Sequence, residues 1–186
     1  MSDLRVAIEE HLLAVEALKA AVPALQRVAK HIVKIINGGG VVYVLGNGGS
    51  AADAQHISAE LQGRFKRERR ALPAVALTTD TSTLTAVAND LGAEYIFVRQ
   101  VEALVTARDA LWVLSVSGTS PNVVAAVELA RRRGAWVVGF TGRSGGRLVE
   151  LCDECLRADH TASDRVQEVH ELAYHLVCEM VEEAFA

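Results

Sequence analysis

Apolar residues recur along this chain in two rhythms, and the change between them near residue 40 divides it. Up to residue 38, Leu4, Ile8, Leu12, Val15 and Leu18 fall three to four apart, the spacing of one helical face. Pro23 splits or kinks this segment, because a ring on the backbone nitrogen removes a helix donor. Leu25, Val28, Ile32 and Ile35 then resume the pattern until Gly38-Gly39-Gly40 stops it. From residue 41 the apolar residues come instead in short continuous runs, at 41–45, 74–78, 110–115 and 135–140, with a weaker one over 154–158. Continuous rather than alternating runs predict strands covered on both faces. Helical stretches are predicted between and after them, at about 50–62, 82–104, 121–133, 144–150 and 164–184. Ser50, Ser82, Ser120 and Asp164 stand where helix caps belong, and Pro121 suits a first helical position.

This alternation predicts an α/β fold, a doubly wound parallel five-stranded sheet with helices on both faces. One domain over 1–186 is expected, with 1–38 as an N-terminal helical extension and 41–186 as the α/β core. Ligands of such sheets bind outside the carboxyl ends of the strands, so the loops at 46–50, 78–82, 115–120 and 141–146 should converge.

The composition narrows the function classes. The chain has 186 residues, is 51% hydrophobic and carries a net charge of −4, so no global basic field recommends a nucleic-acid partner. Arg64-Phe65-Lys66-Arg67-Glu68-Arg69-Arg70 is the one basic run; it reads as a solvated loop, with binding of an anionic substrate or partner as the alternative. No apolar run approaches the ~20 residues of a membrane span. The opening Met1-Ser2-Asp3-Leu4-Arg5 leads into no export-type apolar stretch, and three cysteines are an odd number. Together these predict a cytoplasmic protein with reduced thiols. Cys152-Asp153-Glu154-Cys155 is a lone CxxC without a second pair and is not read as a redox or zinc motif, whereas Cys178 reads as core.

Chemistry concentrates where the first strand ends. Gly46-Asn47-Gly48-Gly49-Ser50-Ala51-Ala52-Asp53-Ala54-Gln55-His56 leaves a strand and enters a helix, presenting backbone N–H groups and a helix N-terminus to an anionic or hydroxyl-rich ligand. His56 and Glu60, four residues apart, share one helical face just behind it. Gly46-x-Gly48-x-x-Ala51 also fits a dinucleotide fingerprint, but the acidic residue expected ~20 positions on is missing, and no lysine follows the glycines as in a nucleotide P-loop. A second loop, Ser115-Val116-Ser117-Gly118-Thr119-Ser120-Pro121-Asn122, brings four hydroxyls to a strand end and opens a helix, which makes a phosphate cup. On the last helix Gln167, Glu171 and His175 follow i, i+4, i+8 spacing, while His170 points elsewhere. His56, Glu60, Gln167 and His175 could supply two acid–base groups or four N/O ligands for a divalent metal such as zinc. His170 and Glu171 read as packing or surface residues.

Taken together, Gly46 to Glu60, Leu77 to Ser82 with Asn89-Asp90, Ser115 to Asn122, Thr141-Gly142-Arg143 with Gly145-Gly146, and Arg165 to Glu179 resemble the sugar isomerase (SIS) domain, and within it the phosphoheptose isomerases. The resemblance implies interconversion of sedoheptulose 7-phosphate and D-glycero-D-manno-heptose 7-phosphate, feeding nucleotide-heptose synthesis. It implies sugar contacts from Asn47, Gly48, Gly49, Ser50, Asn89 and Asp90, and phosphate contacts from Ser115, Ser117 and Ser120. Val116 replaces the usual threonine of that loop, which removes a hydroxyl but leaves the backbone cradle. His56, Glu60, Gln167 and His175 align with the family's zinc site, one ion per subunit, with Glu60 and His175 also the acid–base pair and Gln167 close to substrate. A homotetramer with active sites at subunit interfaces is implied, and no nucleic acid or membrane partner. Two rivals remain: a non-catalytic SIS binding protein of the replication-initiator-associating type, whose members lack the acidic and histidine pair, and a sugar-phosphate-sensing regulator, which would need a DNA-binding extension.

Overall fold

The computed structural model describes residues 4–186; residues 1–3, the start of the predicted helical segment, lie outside the described residues. Helices α1 (Leu4–Leu18) and α2 (Val22–Asn37) are joined by a single 3₁₀ turn at Lys19–Ala21. Pro23 therefore splits the segment, and it sits in the first turn of α2, where its missing N–H costs nothing. The core follows as β1 (Val42–Gly46), α3 (Gly49–Gln62), β2 (Ala74–Ala76), α4 (Thr81–Asp90), α5 (Val98–Leu104), β3 (Ala110–Ser115), α6 (Pro121–Arg132), β4 (Trp136–Thr141), α7 (Leu148–Leu151), β5 (Glu154–Arg157) and α8 (Ser163–Glu183).

All strand pairings are parallel, and the five strands lie in the order β2-β1-β3-β4-β5. Two cores explain why the strand runs are continuously apolar. Val42, Val44, Trp112, Leu114, Val138 and Phe140 face a layer formed with α1, α2, α3 and α8. Their neighbours Tyr43, Leu45, Leu111, Val113 and Val137 face the opposite layer, with α5 and α6. Since side chains alternate across a strand, a sheet buried on both sides needs apolar residues at every position. None of the described helices is long and apolar enough to cross a membrane.

The predicted helix over 82–104 is broken. It becomes α4, a 3₁₀ turn at Ala93–Tyr95 and α5, because Gly92 adopts φ 111°, a left-handed conformation that no helix continues through. Asp80, not Ser82, caps α4, its carboxylate accepting the Thr83 N–H at 2.9 Å. The stretch predicted over 144–150 shrinks to the four residues of α7, displaced past the glycines that open it. α3 starts from Gly48 and α8 from Ala162, each slightly before the predicted cap.

The basic run is also not simply solvated. Glu182, buried near the end of α8, accepts the backbone N–H groups of Phe65, Lys66 and Arg67 at 2.8, 2.7 and 3.0 Å. The side chain of Arg69 is 0% exposed and lies 3.6 Å from the same carboxylate. Burial alone would push the Glu182 carboxyl up; the three N–H donors and Arg69 outweigh it and hold it below its ordinary value. The run is thus a tied loop that carries Phe65 to the face of His175, ring centroids 5.3 Å apart.

Candidate active site

Sheet order reverses direction between β1 and β3, so their following loops part to opposite faces and leave a crevice at the strand ends. Gly48 opens α3 with φ +56°, a conformation glycine adopts without a Cβ penalty, and this turns the chain sharply from strand to helix. In the β3–α6 loop Gly118 has φ +66°, and a Cβ there would lie 2.1 Å from the carbonyl oxygen of Gly145, so the two neighbouring loops interlock at that point. Between them lies a cavity of about 220 Å³, lined by Asn47, Ser50, Leu114, Ser115, Val116, Ser117, Ser120 and Gln167. Its hydroxyls are organised by backbone donors: Gly118 N–H donates to Ser115 Oγ at 3.2 Å, and Thr119 N–H to Ser117 Oγ at 3.2 Å. Ser115 Oγ and Ser120 Oγ lie 3.4 Å apart. Asn47 pairs reciprocally with Asn122 across the mouth, both bonds 2.9 Å, tying the two loops together. Hydroxyls, amide groups and the α6 N-terminus around one small cavity suit an anionic group without needing a cation.

Gln167, one turn into α8, reaches into this cavity wall. A Cβ on Gly49 would meet its Nε2 at 2.5 Å, so glycine is what admits the carboxamide. Asn89 and Asp90 do not line the cavity within one chain. They end α4, bonded to each other at 2.7 Å and exposed, and Asp90 borders a separate hollow with Leu91 and Tyr95. The cause is the direction of α4. It starts beside the strand ends and runs ten residues away, about 15 Å.

Behind the cavity α3 and α8 face each other. Glu60 Oε1 is 3.0 Å from His56 Nε2, and His175 Nε2 is 3.5 Å from the same atom. Glu60 and His175, from the first and last helices of the α/β core, thus converge on one imidazole inside a single chain. Tyr174, fully buried, places its hydroxyl 2.9 Å from His56 Nδ1. Burial first, then Asp53 and Glu171, push this phenol up, so it stays protonated. Burial and the neighbouring His56 push His175 down, against the pull of Glu171 and Glu60, which favours its neutral form. Asp53, one turn before His56, is raised to about 6, chiefly by burial and then by Glu171, with His56 opposing.

Two imidazole nitrogens 3.5 Å apart fit two ligands on one tetrahedral zinc, whose neighbouring donors are separated by roughly 3.3 Å. The residues whose ligand atoms all lie within 4.8 Å of one another are His56, Glu171 and His175. Glu60 meets this set at His56, while the Gln167 carboxamide lies against Gly49. Of the four residues the resemblance implies, Glu60 and His175 lie against His56 and Gln167 stands at the hydroxyl-lined cavity, while Glu171, exposed on α8, comes near the two histidines. His170 packs as predicted: it is buried, pushed down to about 4 by burial, with Nε2 3.1 Å from the Thr141 carbonyl.

Residues 8–142 match the SIS domain family. Over 162 residues the chain is 49% identical to the phosphoheptose isomerase of Rhodospirillum rubrum, covering 87% of this chain and 86% of that protein. It is 50% identical to that of a Roseiflexus strain over 165 residues, covering 89% and 84%. The chain belongs to the phosphoheptose isomerase family of SIS domains. Its fold agrees with the solved phosphoheptose isomerase of Neisseria gonorrhoeae, with TM-score 0.90, 39% identity and 97% of each chain covered. Relatives bearing an isomerase name over most of the chain's length do not favour the non-catalytic binding-protein reading.

Proposed function

We propose that this chain interconverts sedoheptulose 7-phosphate and D-glycero-D-manno-heptose 7-phosphate by enediol acid–base chemistry, feeding nucleotide-heptose synthesis. The observation that carries it is the meeting of Glu60 and His175 around His56, next to a cavity built from hydroxyls and a helix N-terminus.

The chemistry asks for this equipment. Moving a proton between C1 and C2 of a ketose phosphate needs a base at carbon and a proton carrier at the two oxygens. Glu60 is the base at carbon, and His175, whose burial favours the uncharged imidazole, shuttles the proton between the oxygens. Phe65 stacks on His175 and fixes the plane of its ring. Ser115, Ser117 and Ser120 grip the phosphate with the α6 N-terminus, while Asn47, the Gly48-Gly49 turn and Ser50 bear on the sugar hydroxyls. Val116 contributes backbone and one apolar wall to the same cavity.

A zinc ion, one per subunit, fits the His56–His175 pair, and when bound it polarises the substrate's carbonyl oxygen. A homotetramer with active sites at subunit interfaces is supported by α1, whose Leu4, Ile8, Leu12 and Leu13 are 76, 60, 59 and 73% exposed in the isolated chain. A neighbouring subunit is then the route by which Asn89 and Asp90 reach a sugar. A cytoplasmic location is supported by three free cysteines.

The test is incubation of the purified protein with sedoheptulose 7-phosphate, with and without a chelator, followed by detection of the aldose. Formation of D-glycero-D-manno-heptose 7-phosphate is expected. Ligand binding without turnover would instead indicate a phosphosugar-binding protein.

A further inference from the structure

We propose that Cys152 and Cys155 form a redox-active dithiol, which exchanges with a small-molecule disulfide and closes into a reversible Cys152–Cys155 bond. The spacing of this lone CxxC does not by itself mark a redox motif; the fold supplies the space and the setting that the spacing lacks.

The space for two sulfurs comes from a glycine. Gly139, inside β4, pairs with Cys155 of the edge strand β5, so their side-chain positions stand together on one face of the sheet. Cys152 follows the single turn of α7, and the chain then lies back along β4. Asp153 holds it there from both sides: its N–H donates to the Val137 carbonyl at 2.8 Å, and its Oδ2 accepts the Val137 N–H at 2.8 Å. A Cβ on Gly139 would lie 2.7 Å from Cys152 Sγ and 3.6 Å from Cys155 Sγ. The place of the missing side chain is thus taken by both sulfurs. Both thiols are free, and neither is fully enclosed.

The two thiols differ in character. Cys155 is pulled down, first by the adjacent Cys152 thiol and then, against its own burial, by Thr141, whose Oγ1 lies 3.8 Å from its sulfur, and by Arg157. Cys152 is pushed up by Cys155 and by burial. Cys155 is therefore the thiolate that attacks, and Cys152 the thiol that resolves. Cys178 is the contrast: it is 1% exposed, burial pushes it up, and it is inert.

The exchange balances without a further reagent. The Cys155 thiolate attacks one sulfur of the small disulfide and releases a first thiolate, leaving a mixed disulfide on Cys155. Cys152 passes its proton to that thiolate, attacks Cys155 Sγ and releases the second, which regains from solvent the proton that Cys155 had lost. Two cysteine sulfurs are oxidised and one small disulfide is reduced to two thiols. In a reducing compartment the resting state is the dithiol.

The test follows the thiols. The purified full-length protein, kept folded, is incubated with oxidised glutathione and examined by thiol titration, intact mass and peptide mapping. The wild type is expected to lose two of its three thiols, to fall in mass by two hydrogens and to yield a Cys152–Cys155 link, all reversed by dithiothreitol. Cys152→Ser is expected to stop at the mixed disulfide, with one glutathionyl group on Cys155. Cys155→Ser is expected to react at least about tenfold more slowly than the wild type. A wild type that keeps all three thiols, that stops at a glutathione adduct or that forms a link through Cys178 would overturn the proposal. Equal reaction rates for Cys155→Ser and the wild type would overturn it too.

Discussion

The Tyr174 hydroxyl lies 2.9 Å from Nδ1 of His56, and that contact decides which way the imidazole presents its other nitrogen. With the phenol donating to Nδ1, Nε2 carries the proton and donates to Glu60; with the phenol accepting, Nε2 is a bare lone pair facing His175. The first state pairs both ring nitrogens; in the second, Nε2 cannot bond the Glu60 carboxylate, which only accepts, and needs a donor such as the Nε2–H of His175 at 3.5 Å. The hydroxyl thus holds the ring in place through both.

Tyr174→Phe should therefore cost activity more than structure. Loss of a buried hydroxyl's bond is worth about 1–3 kcal/mol where the partner is left unpaired. A fall in kcat of roughly 10-fold with KM little changed is expected. Steady-state kinetics check this; an unchanged kcat would show that His56 needs no such support.

Replacing the two central groups tests their roles directly. Glu60→Gln and His175→Ala should each lose about 10²–10⁴-fold in kcat. Size-exclusion chromatography should show the wild-type elution volume in both, because neither side chain belongs to the apolar clusters of the core.

Gly49→Ala tests the placement of Gln167. The added Cβ would fall 2.5–2.8 Å from the carboxamide, whose flexible end gives way more easily than backbone. Displacement from the cavity should raise KM for the phosphosugar several-fold and leave Tm within about 2 °C. An unchanged KM would mean that Gln167 has no part in binding substrate.

Glu182 is predicted to control the loop that carries Phe65. Glu182→Ala strands the buried guanidinium of Arg69 and three backbone donors, a loss of about 3 kcal/mol. At 2–4 °C per kcal/mol, Tm should fall by about 6–12 °C. The pH dependence has a definite sign. The folded carboxyl sits below its ordinary value of 4.5, so its stabilisation is present above that pH and is lost as pH falls below it. Urea unfolding followed downward from pH 4.5 should show a steeper decline in the wild type than in Glu182→Ala. Parallel curves would contradict this.

The layers, the strand order class and the two ligand-facing loops were legible because each depends on local spacing. Val41 to Leu45 must be a buried strand whatever lies elsewhere, and His56 and Glu60 share a face on any helix. The break at Gly92 was hidden because Leu84, Val87, Val98 and Val101 keep a helical rhythm on both sides of it. The tie between Arg69 and Glu182 was hidden for a different reason: it joins residues over a hundred positions apart, and arginine in a basic run reads as solvated. Glu171 shared the spacing of Gln167 and His175, yet only the approach of α3 to α8 brings it near His56.

The most direct measurement follows sedoheptulose 7-phosphate by NMR in deuterated water with wild-type protein and Glu60→Gln. The account predicts that the wild type forms the aldose with solvent deuterium at C2 and that the variant forms almost none. Turnover by Glu60→Gln at the wild-type rate would contradict it.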